Sequence, residues 1–193
     1  SFGNSASADI DKDGYLEIVF SCYRNDSCIY VLNAEDGSLL WKYNTGGCND
    51  AAPLIYDVDN DDTLDIILTS SCVPKTFCIN GASGIVKWVA NSNGSDSPPT
   101  LGDVDNDNKP DILFGEFGGT VRCLNAEDGI LKWELNIDSN SWIQTEPILL
   151  DLDNNSHLDF VVANYNFDTA HRIFAYNAYD LSLLWETSLP NDV

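Results

Sequence analysis

Asp-Val-Asp-Asn-Asp-Asn-Lys-Pro-Asp, at residues 103–111, is the clearest copy of a nine-residue motif that occurs four times in this 193-residue chain. The other copies lie at residues 9–17, 57–65 and 151–159. We call the copies loop 1 to loop 4 in chain order and number positions 1 to 9 within each. Successive copies start about 47 residues apart, and a near-constant period of this length predicts one supersecondary unit repeated along the whole chain.

A second landmark follows each loop at a near-constant distance. It is an Asn with a Trp eight residues later, and a Gly stands midway between them in the first three repeats. Because two independent landmarks keep the same period, chance does not explain the repeat. We interpret the tryptophans as core residues packed between neighbouring units. The Asn and Trp pairs are Asn33 and Trp41, Asn80 and Trp88, Asn125 and Trp133, and Asn177 and Trp185.

Short apolar runs rich in Val, Ile, Phe and Tyr fill each repeat, and Gly, Asn and Asp separate them. In the last repeat the runs lie at residues 149–151, 158–163, 172–176 and 183–187, and none has helical periodicity. The sequence therefore predicts an all-β protein, a β-propeller of four four-stranded blades of about 47 residues. The four blades form either a closed ring or part of a larger propeller. The predicted blades span approximately residues 1–47, 48–94, 95–140 and 141–193 of one domain.

The first blade has the weakest first strand, because residues 1–8 are mostly small and polar. Either small residues fit at that place or another segment completes the strand. A blade with an incomplete edge is also a place where a second chain can add a strand. The start at Ser1, in a chain without Met, is typical of a processed or excised sequence.

Oxygen-bearing side chains stand at positions 1, 3, 5 and 9 of every loop. Calcium takes about six to eight oxygen ligands, and a backbone carbonyl at position 7 adds one without constraining its side chain. A sharp turn is needed at position 6, which Gly14 suits best. The sequence therefore predicts up to four Ca2+ ions, one per blade. The predicted ligands, with position 7 contributing its carbonyl, are Asp9, Asp11, Asp13, Tyr15 and Glu17; Asp57, Asp59, Asp61, Thr63 and Asp65; Asp103, Asp105, Asp107, Lys109 and Asp111; and Asp151, Asp153, Asn155, His157 and Asp159.

The net charge of −22 has mostly this local origin, since about half of the 31 acidic residues stand at the loop positions. In four solvated acidic turns without ions, each close pair of carboxylates would repel by on the order of 1 kcal/mol. Zinc and copper are disfavoured because the loops contain no Cys and only His157. Mg2+ usually retains several waters. The acidity also argues against nucleic acid as a partner, and no apolar run is long enough to span a membrane.

Six cysteines in a chain of this size favour an oxidising, extracellular environment. Cys22 and Cys28 bracket a predicted hairpin tip, and we favour a disulfide between them. Cys72 and Cys78 share the same spacing, while Cys48–Cys72 is a competing pairing. Cys78 and Cys123 stand at equivalent strand positions and also fit as buried thiols. Asn-x-Ser/Thr sequences at Asn25, Asn93 and Asn154 are possible glycosylation acceptors.

Residues 101–115, with Phe117-Gly-Gly119, resemble the FG-GAP/VCBS repeat family, which includes the calcium-loop blades of integrin α-subunit propellers. The resemblance covers all four repeats. It implies an extracellular propeller with calcium in its blade loops and a role in adhesion, ligand binding or cell-surface assembly. Integrin-type propellers have seven blades, whereas this chain has four repeats. The Asn-Ala-Glu-Asp-Gly stretches with their Trp also resemble the repeat of quinoprotein dehydrogenase propellers.

A non-enzymatic role follows from the absence of a Ser-His-Asp, Cys-His or phosphate-loop pattern in the sequence. The first hypothesis is an extracellular binding or adhesion module that contacts a protein or a glycan. The second is a subunit of an extracellular fibre or surface layer, whose partner is another copy of the chain. A third is a carbohydrate-active propeller such as a polysaccharide lyase. His171 is interpreted as a surface or hairpin residue.

Overall fold

The computed structural model describes residues 4–23, 26–166 and 171–189, and within these ranges it contains strands and no helix. The strands follow the repeats. Blade 1 has β1 (Ser5–Ala8), β2 (Glu17–Ser21), β3 (Cys28–Asn33) and β4 (Leu39–Asn44), and blade 2 has β5 (Leu54–Tyr56), β6 (Asp65–Ser70), β7 (Lys75–Asn80) and β8 (Val86–Asn91). Blade 3 has β9 (Thr100–Gly102), β10 (Asp111–Gly115), β11 (Thr120–Asn125) and β12 (Leu131–Asn136). Blade 4 has β13 (Ser141–Ile143), β14 (Ile148–Leu150), β15 (Asp159–Asn166), β16 (Arg172–Asn177) and β17 (Leu183–Ser188).

Each blade is an antiparallel meander of four strands in chain order. In blade 4, β13 also pairs with the far end of β15, beyond the part that β14 covers. The first strands of neighbouring blades lie against each other, β1 against β5 and β9 against β14, so they line a common axis. The predicted β-propeller with four blades is confirmed. Each acidic loop joins the first and second strands of its blade, as expected.

Three apolar clusters hold neighbouring blades together, one at each junction. Between blades 1 and 2, for example, Val19 and Val31 pack against Ile66 and Ile79, and all four side chains are fully buried. Position along the strand decides which face a side chain takes, because successive residues of a strand point to opposite sides. Both faces of the central blades are therefore apolar, which explains why β6 and β10 are buried along their whole length.

The two end faces of the array stay open, since no apolar cluster joins blade 4 to blade 1 in the described ranges. Ile18 in blade 1 occupies the place of Ile66 and Ile112, which are fully buried, yet Ile18 is 39% exposed. At the other end, Trp185 occupies the place of Trp88 and is 42% exposed. In the part of the chain that the structure describes, the four blades thus form an arc whose two end faces have no neighbouring blade packed against them.

The favoured Cys22–Cys28 disulfide is wrong, and the competing pair Cys48–Cys72 is bonded with a Cα–Cα separation of 5.0 Å. Cys22 and Cys28 lie directly opposite each other, and the Cys22 N–H donates to the Cys28 carbonyl at 3.1 Å. Cβ atoms of such a hydrogen-bonded pair stand about 5.5 Å apart, wider than the roughly 3.8 Å of a disulfide. Cys78 and Cys123 are fully buried free thiols.

The weak start of blade 1 nevertheless forms a first strand. In β1, Ser5 to Ala8 pair in register with Phe20 to Glu17 of β2. Small residues thus fit at this place, as one of the two sequence-based alternatives expected. Residues 1–3 lie outside the described ranges, as does Asn25, the first possible glycosylation acceptor.

Candidate metal-binding loops

The acidic loops share one backbone design, in which the carboxylates accept hydrogen bonds from the loop's own N–H groups. In loop 3, Asp103 accepts from the N–H groups of Asp107 and Asn108 at 3.0 and 2.9 Å. Asp111 accepts from the Val104 N–H at 3.2 Å and so ties the end of the loop to its start. These bonds curl the chain so that side chains at alternate positions turn towards one centre.

Two left-handed residues produce the curl, at positions 4 and 6 of every loop. Position 6 has φ values of 92° at Gly14, 65° at Asp62, 64° at Asn108 and 68° at Ser156. The turn expected at position 6 is therefore present even where the residue is not Gly. Position 4 is left-handed as well, which was not anticipated. Asn is the residue at position 4 in three loops, and Asn tolerates this conformation better than most residues. The position 4 residues, with their φ values, are Lys12 (64°), Asn60 (56°), Asn106 (59°) and Asn154 (60°).

Three carboxylates converge in each loop, with oxygen atoms within 4.8 Å of one another. One predicted ligand side chain in each loop lies outside this closest group. It stands at position 9 in loops 1 and 2 and at position 5 in loops 3 and 4. The convergent groups are Asp9, Asp11 and Asp13; Asp57, Asp59 and Asp61; Asp103, Asp105 and Asp111; and Asp151, Asp153 and Asp159.

Three of the position 7 side chains stand away from these groups, whereas the Thr63 side chain hydrogen-bonds to Asp61 in loop 2. Tyr15 is 60% exposed. The Lys109 ammonium contacts Glu127 at 2.7 Å, and the His157 ring packs on Tyr179 with 4.9 Å between ring centroids. The carbonyl ligands themselves stay a prediction.

The position 9 carboxylate is fully buried in every loop, at Glu17, Asp65, Asp111 and Asp159. In loop 1, Glu17 Oε2 accepts a 2.6 Å hydrogen bond from the Ile10 N–H, whereas its Oε1 has no hydrogen-bond partner. Leaving a buried carboxylate oxygen without a partner costs at least about 1–3 kcal/mol. A divalent cation held by oxygen ligands would satisfy this atom, so the residues of loop 1 fit such an ion.

Loops 2 and 3 contain a cationic side chain that the sequence analysis missed. The Lys87 ammonium lies 2.6 Å from Asp59 and 2.9 Å from Asp65. In the next blade, the Lys132 ammonium lies 2.7 Å from both Asp105 and Asp111. Each lysine thus bridges positions 3 and 9 of its loop. The available signal was the residue before each Trp, which is Lys in blades 2 and 3 only.

Burial and ion pairing act in opposite directions on these groups. Burial alone would lower the pKa of Lys87, but its hydrogen bonds to Asp59 and Asp65 outweigh burial and raise that pKa above its ordinary value. Burial raises the pKa of Asp65, and the neighbouring Lys87 offsets only part of this change. Three carboxylates of loop 2, those of Asp59, Asp61 and Asp65, surround this single ammonium. Asp65 Oδ1 has no hydrogen-bond partner, but the ammonium at Oδ2 neutralises the carboxylate. Lys132 and Asp111 show the same pKa directions.

Loop 4 satisfies its buried carboxylate differently. Asp159 accepts from the Leu152 N–H at 2.7 Å and from the Asn177 side-chain amide at 3.1 Å. At position 5, Asn155 donates to Asp153 at 3.1 Å instead of adding a fourth carboxylate. Loop 4 also contacts loop 3, because the Asn106 amide lies 2.9 Å from His157 Nδ1.

The other sequence-predicted positions give little support for a separate site. His171 lines a shallow groove on blade 4 and stacks on Tyr165 with 5.2 Å between ring centroids. The Asn93 amide nitrogen, to which a glycan would attach, donates to the buried Glu116 at 2.8 Å. Asn154 lies at the left-handed position 4 of loop 4. No helix in the described ranges is long and apolar enough to cross a bilayer.

No protein-family model matches this sequence, and no curated protein matches it. Solved structures do match. BamB from Moraxella catarrhalis superposes with a TM-score of 0.61 at 16% identity, over 96% of this chain and 61% of BamB. A europium-containing methanol dehydrogenase gives 0.64 at 14% identity, over 96% and 41%. BBS1N, solved in complex with ARL6DN, gives 0.58 at 16% identity, over 97% and 54%.

The chain spans less than two thirds of the length of each of these proteins. At 14–16% identity the likeness shows the fold alone, and that fold is the β-propeller.

Proposed function

We propose that this chain is an extracellular, calcium-binding β-propeller that serves as a non-enzymatic binding or assembly module. The ions hold the hairpin between the first and second strands of each blade. The observation that carries the proposal is Glu17 Oε1, a buried carboxylate oxygen without a partner in a loop with three further convergent carboxylates. A cation there removes both the unsatisfied atom and the repulsion between the carboxylates.

Calcium suits the ligand set better than other divalent metals. The convergent atoms are carboxylate oxygens, which disfavours metals that prefer sulfur or imidazole. Calcium also tolerates irregular shells of oxygen ligands, whereas Mg2+ requires near-octahedral geometry. The resemblance of all four repeats to FG-GAP/VCBS blades supports the same ion and an extracellular location. The Cys48–Cys72 disulfide agrees with an oxidising compartment.

The test is a calorimetric titration of chelator-treated protein with Ca2+, together with thermal melting with and without the ion. We expect calcium uptake and a higher melting temperature, because an ion that binds only the folded state stabilises it. Glu17→Gln removes the buried charge of loop 1 and should weaken the binding of one Ca2+ ion, the one assigned to that loop. Glu35→Gln, a change of the same charge at an exposed turn of the same blade, is the matched control. Absence of calcium uptake by the wild-type chain would refute the proposal.

The two open ends of the arc favour an assembly role. One end has a Trp and the other has a turn, and at the internal junctions a Trp and a turn of this kind contact each other. Inside the chain, Trp41 donates to the Gly81 carbonyl at 2.6 Å, and Trp88 donates to the Ala126 carbonyl at 3.0 Å. Each Trp therefore docks on the Asn-containing turn of the next blade. In the part of the chain that the structure describes, Trp185 at one end has no such turn to dock on, and the turn around Gly37 at the other end has open space above it.

The surfaces around this Trp and this turn are also apolar and matched. Blade 4 presents Val161 and Ile173 near Trp185, since Val161 and Trp185 both pair with Ala175, and blade 1 presents Ile18, which is 39% exposed. At the internal junctions the counterparts of Ile18, which are Ile66 and Ile112, are fully buried in the apolar clusters. A head-to-tail contact between two copies would bury the same kind of surface. Such heterologous contacts give a ring when the rotation closes and a fibre when it does not.

Sedimentation velocity over a range of protein concentrations tests the assembly role. We expect concentration-dependent association that Trp185→Ala abolishes. Tyr56→Ala is the control, because Tyr56 is an equally exposed aromatic residue, at 42%, away from the open ends. A strictly monomeric wild-type chain at high concentration with calcium would instead favour a module that binds a protein or glycan ligand.

A further inference from the structure

We propose that Lys87 and Lys132 are built-in counter-ions that compete with calcium, so that loops 2 and 3 bind the ion more weakly than loop 1. This inference rests on the proposed calcium function. The loops have similar acidic sequences, but they fall into two classes according to whether a residue outside the motif is Lys or Leu.

The lysines reach the loops because of a β-bulge in the fourth strand of each blade. In blade 2, Cys78 pairs with Trp88 and Ile79 pairs with Val86, so Lys87 is the extra residue. Lys132 is the extra residue in blade 3, by the same shift of register. A bulge re-aims the side chain of its extra residue, and here it directs the ammonium to the acidic loop. Blades 1 and 4 have the same bulge with Leu40 and Leu184 as the extra residues.

The ammonium and a calcium ion would use the same oxygen atoms. Lys87 is within 2.9 Å of Asp59 and Asp65, and its side chain is only 18% exposed. Calcium lies about 2.3–2.6 Å from its ligand oxygens, so an ion at these carboxylates would lie within a few ångströms of the ammonium. Two cations at such a separation repel strongly in a partly buried site. Calcium entry into loop 2 therefore requires the lysine to leave.

Loop 1 offers no such competition. Leu40 packs against the apolar cluster between blades 1 and 2. Within the described ranges, the carboxylates of loop 1 make no salt bridge, and Glu17 Oε1 has no hydrogen-bond partner. Loop 4 also lacks the lysine, but the Asn177 amide satisfies its buried Asp159. Loop 1 is thus the loop with the greatest need of an ion.

A physical consequence follows for calcium-free protein. The lysines neutralise part of the charge in loops 2 and 3, so the central blades keep their first hairpins without metal. Blade 1 depends on the ion itself and should loosen first when calcium is removed. Hydrogen exchange of the β1 and β2 amides should then accelerate more than that of β5, β6, β9 and β10.

The test compares calcium titrations of Lys87→Met, Lys132→Met and the wild-type chain. Each substitution should tighten one weak site by about tenfold or more, since removal of a competing cation raises the effective ligand charge. Leu40→Lys places the cation in blade 1 and should weaken the tight site. Lys42→Met is the matched control, because the Lys42 ammonium lies 5.8 Å from the Tyr30 ring centroid and makes no salt bridge to an acidic loop in the described ranges.

The outcomes separate the two proposals. If the wild-type chain binds calcium but Lys87→Met, Lys132→Met and Leu40→Lys leave every affinity unchanged, the competition is refuted while the calcium function stands. If neither the wild-type chain nor any variant binds calcium, the calcium function is refuted. The proposed difference in calcium affinity between the loops is then refuted with it. Melting in chelator gives a readout independent of uptake. Lys87→Met and Lys132→Met should lower the melting temperature there, and an unchanged value would refute the counter-ion role.

Discussion

The indole N–H of Trp41 donates a 2.6 Å hydrogen bond to the carbonyl of Gly81, in the turn of the neighbouring blade. The ring of Trp41 covers Gly84 in the same turn, where an added Cβ would stand 2.8 Å from Trp41 Cδ2. Trp88 covers Gly129 in the same way. The Asn and Trp landmarks of the sequence are therefore two sides of one contact, each contributed by a different blade.

Gly84→Ala should destabilise the chain more than Gly37→Ala. Both glycines have left-handed backbones, with φ of 70° and 73°. Both substitutions therefore cost about 1–2 kcal/mol in the backbone. Only Gly84→Ala also forces Trp41 to move, which adds about 1–3 kcal/mol. Urea denaturation of dilute protein measures the difference, and equal losses for the two variants would contradict the stacked contact.

Glu116→Ala should be strongly destabilising, whereas Glu134→Ala should not. Arg122 lies between these two acids, 2.5 Å from the fully buried Glu116 and 2.9 Å from the largely exposed Glu134. Loss of the buried partner leaves the mostly buried guanidinium with only the exposed Glu134 and costs about 3–5 kcal/mol. Loss of the exposed partner costs about 0–1 kcal/mol. Equilibrium unfolding of both variants tests this difference, and similar losses would show that Glu116 is not buried as described.

Thiol labelling of the folded chain should distinguish Cys22 from Cys78 and Cys123. Burial raises the pKa of both fully buried thiols well above the ordinary value, so they remain protonated and unreactive. Cys22 is only half-buried. Iodoacetamide at pH 8, followed by mass spectrometry, should modify Cys22 first. Rapid modification of Cys78, or resistance of Cys22 through a disulfide, would contradict the structure.

Stability should fall as the pH rises above about 9. A thiol whose folded-state pKa exceeds its unfolded value of 9.0 contributes stability in full below that pH. The contribution is lost as the pH rises, because the unfolded thiol ionises while the buried one does not. Cys78→Val should flatten the stability profile between pH 8 and 10, since Val31 occupies the equivalent place in blade 1. An identical profile for wild type and variant would contradict the raised pKa.

The sequence predicted the blades because each repeat contains its own strands, turns and loop within about 47 residues. The convergence of carboxylates in each loop was likewise predictable, since the nine residues curl through their own hydrogen bonds, such as those to Asp103. Position 4 could have been recognised from the Asn that three loops share. These features are local, so short stretches of sequence carry them.

The disulfide and the two lysines were not predictable in this way. Cys48 and Cys72 are 24 residues apart and meet only because the chain between them folds back. Lys87 reaches Asp59 from the fourth strand of the blade, through a β-bulge that no local sequence pattern indicated. Sequence alone therefore determined the repeat, its strands and its acidic loops, because short-range patterning and hydrogen bonding decide these. Only the tertiary structure decided which carboxylates are buried, which have a lysine and which ends stay open, because each depends on groups brought together from distant parts of the chain.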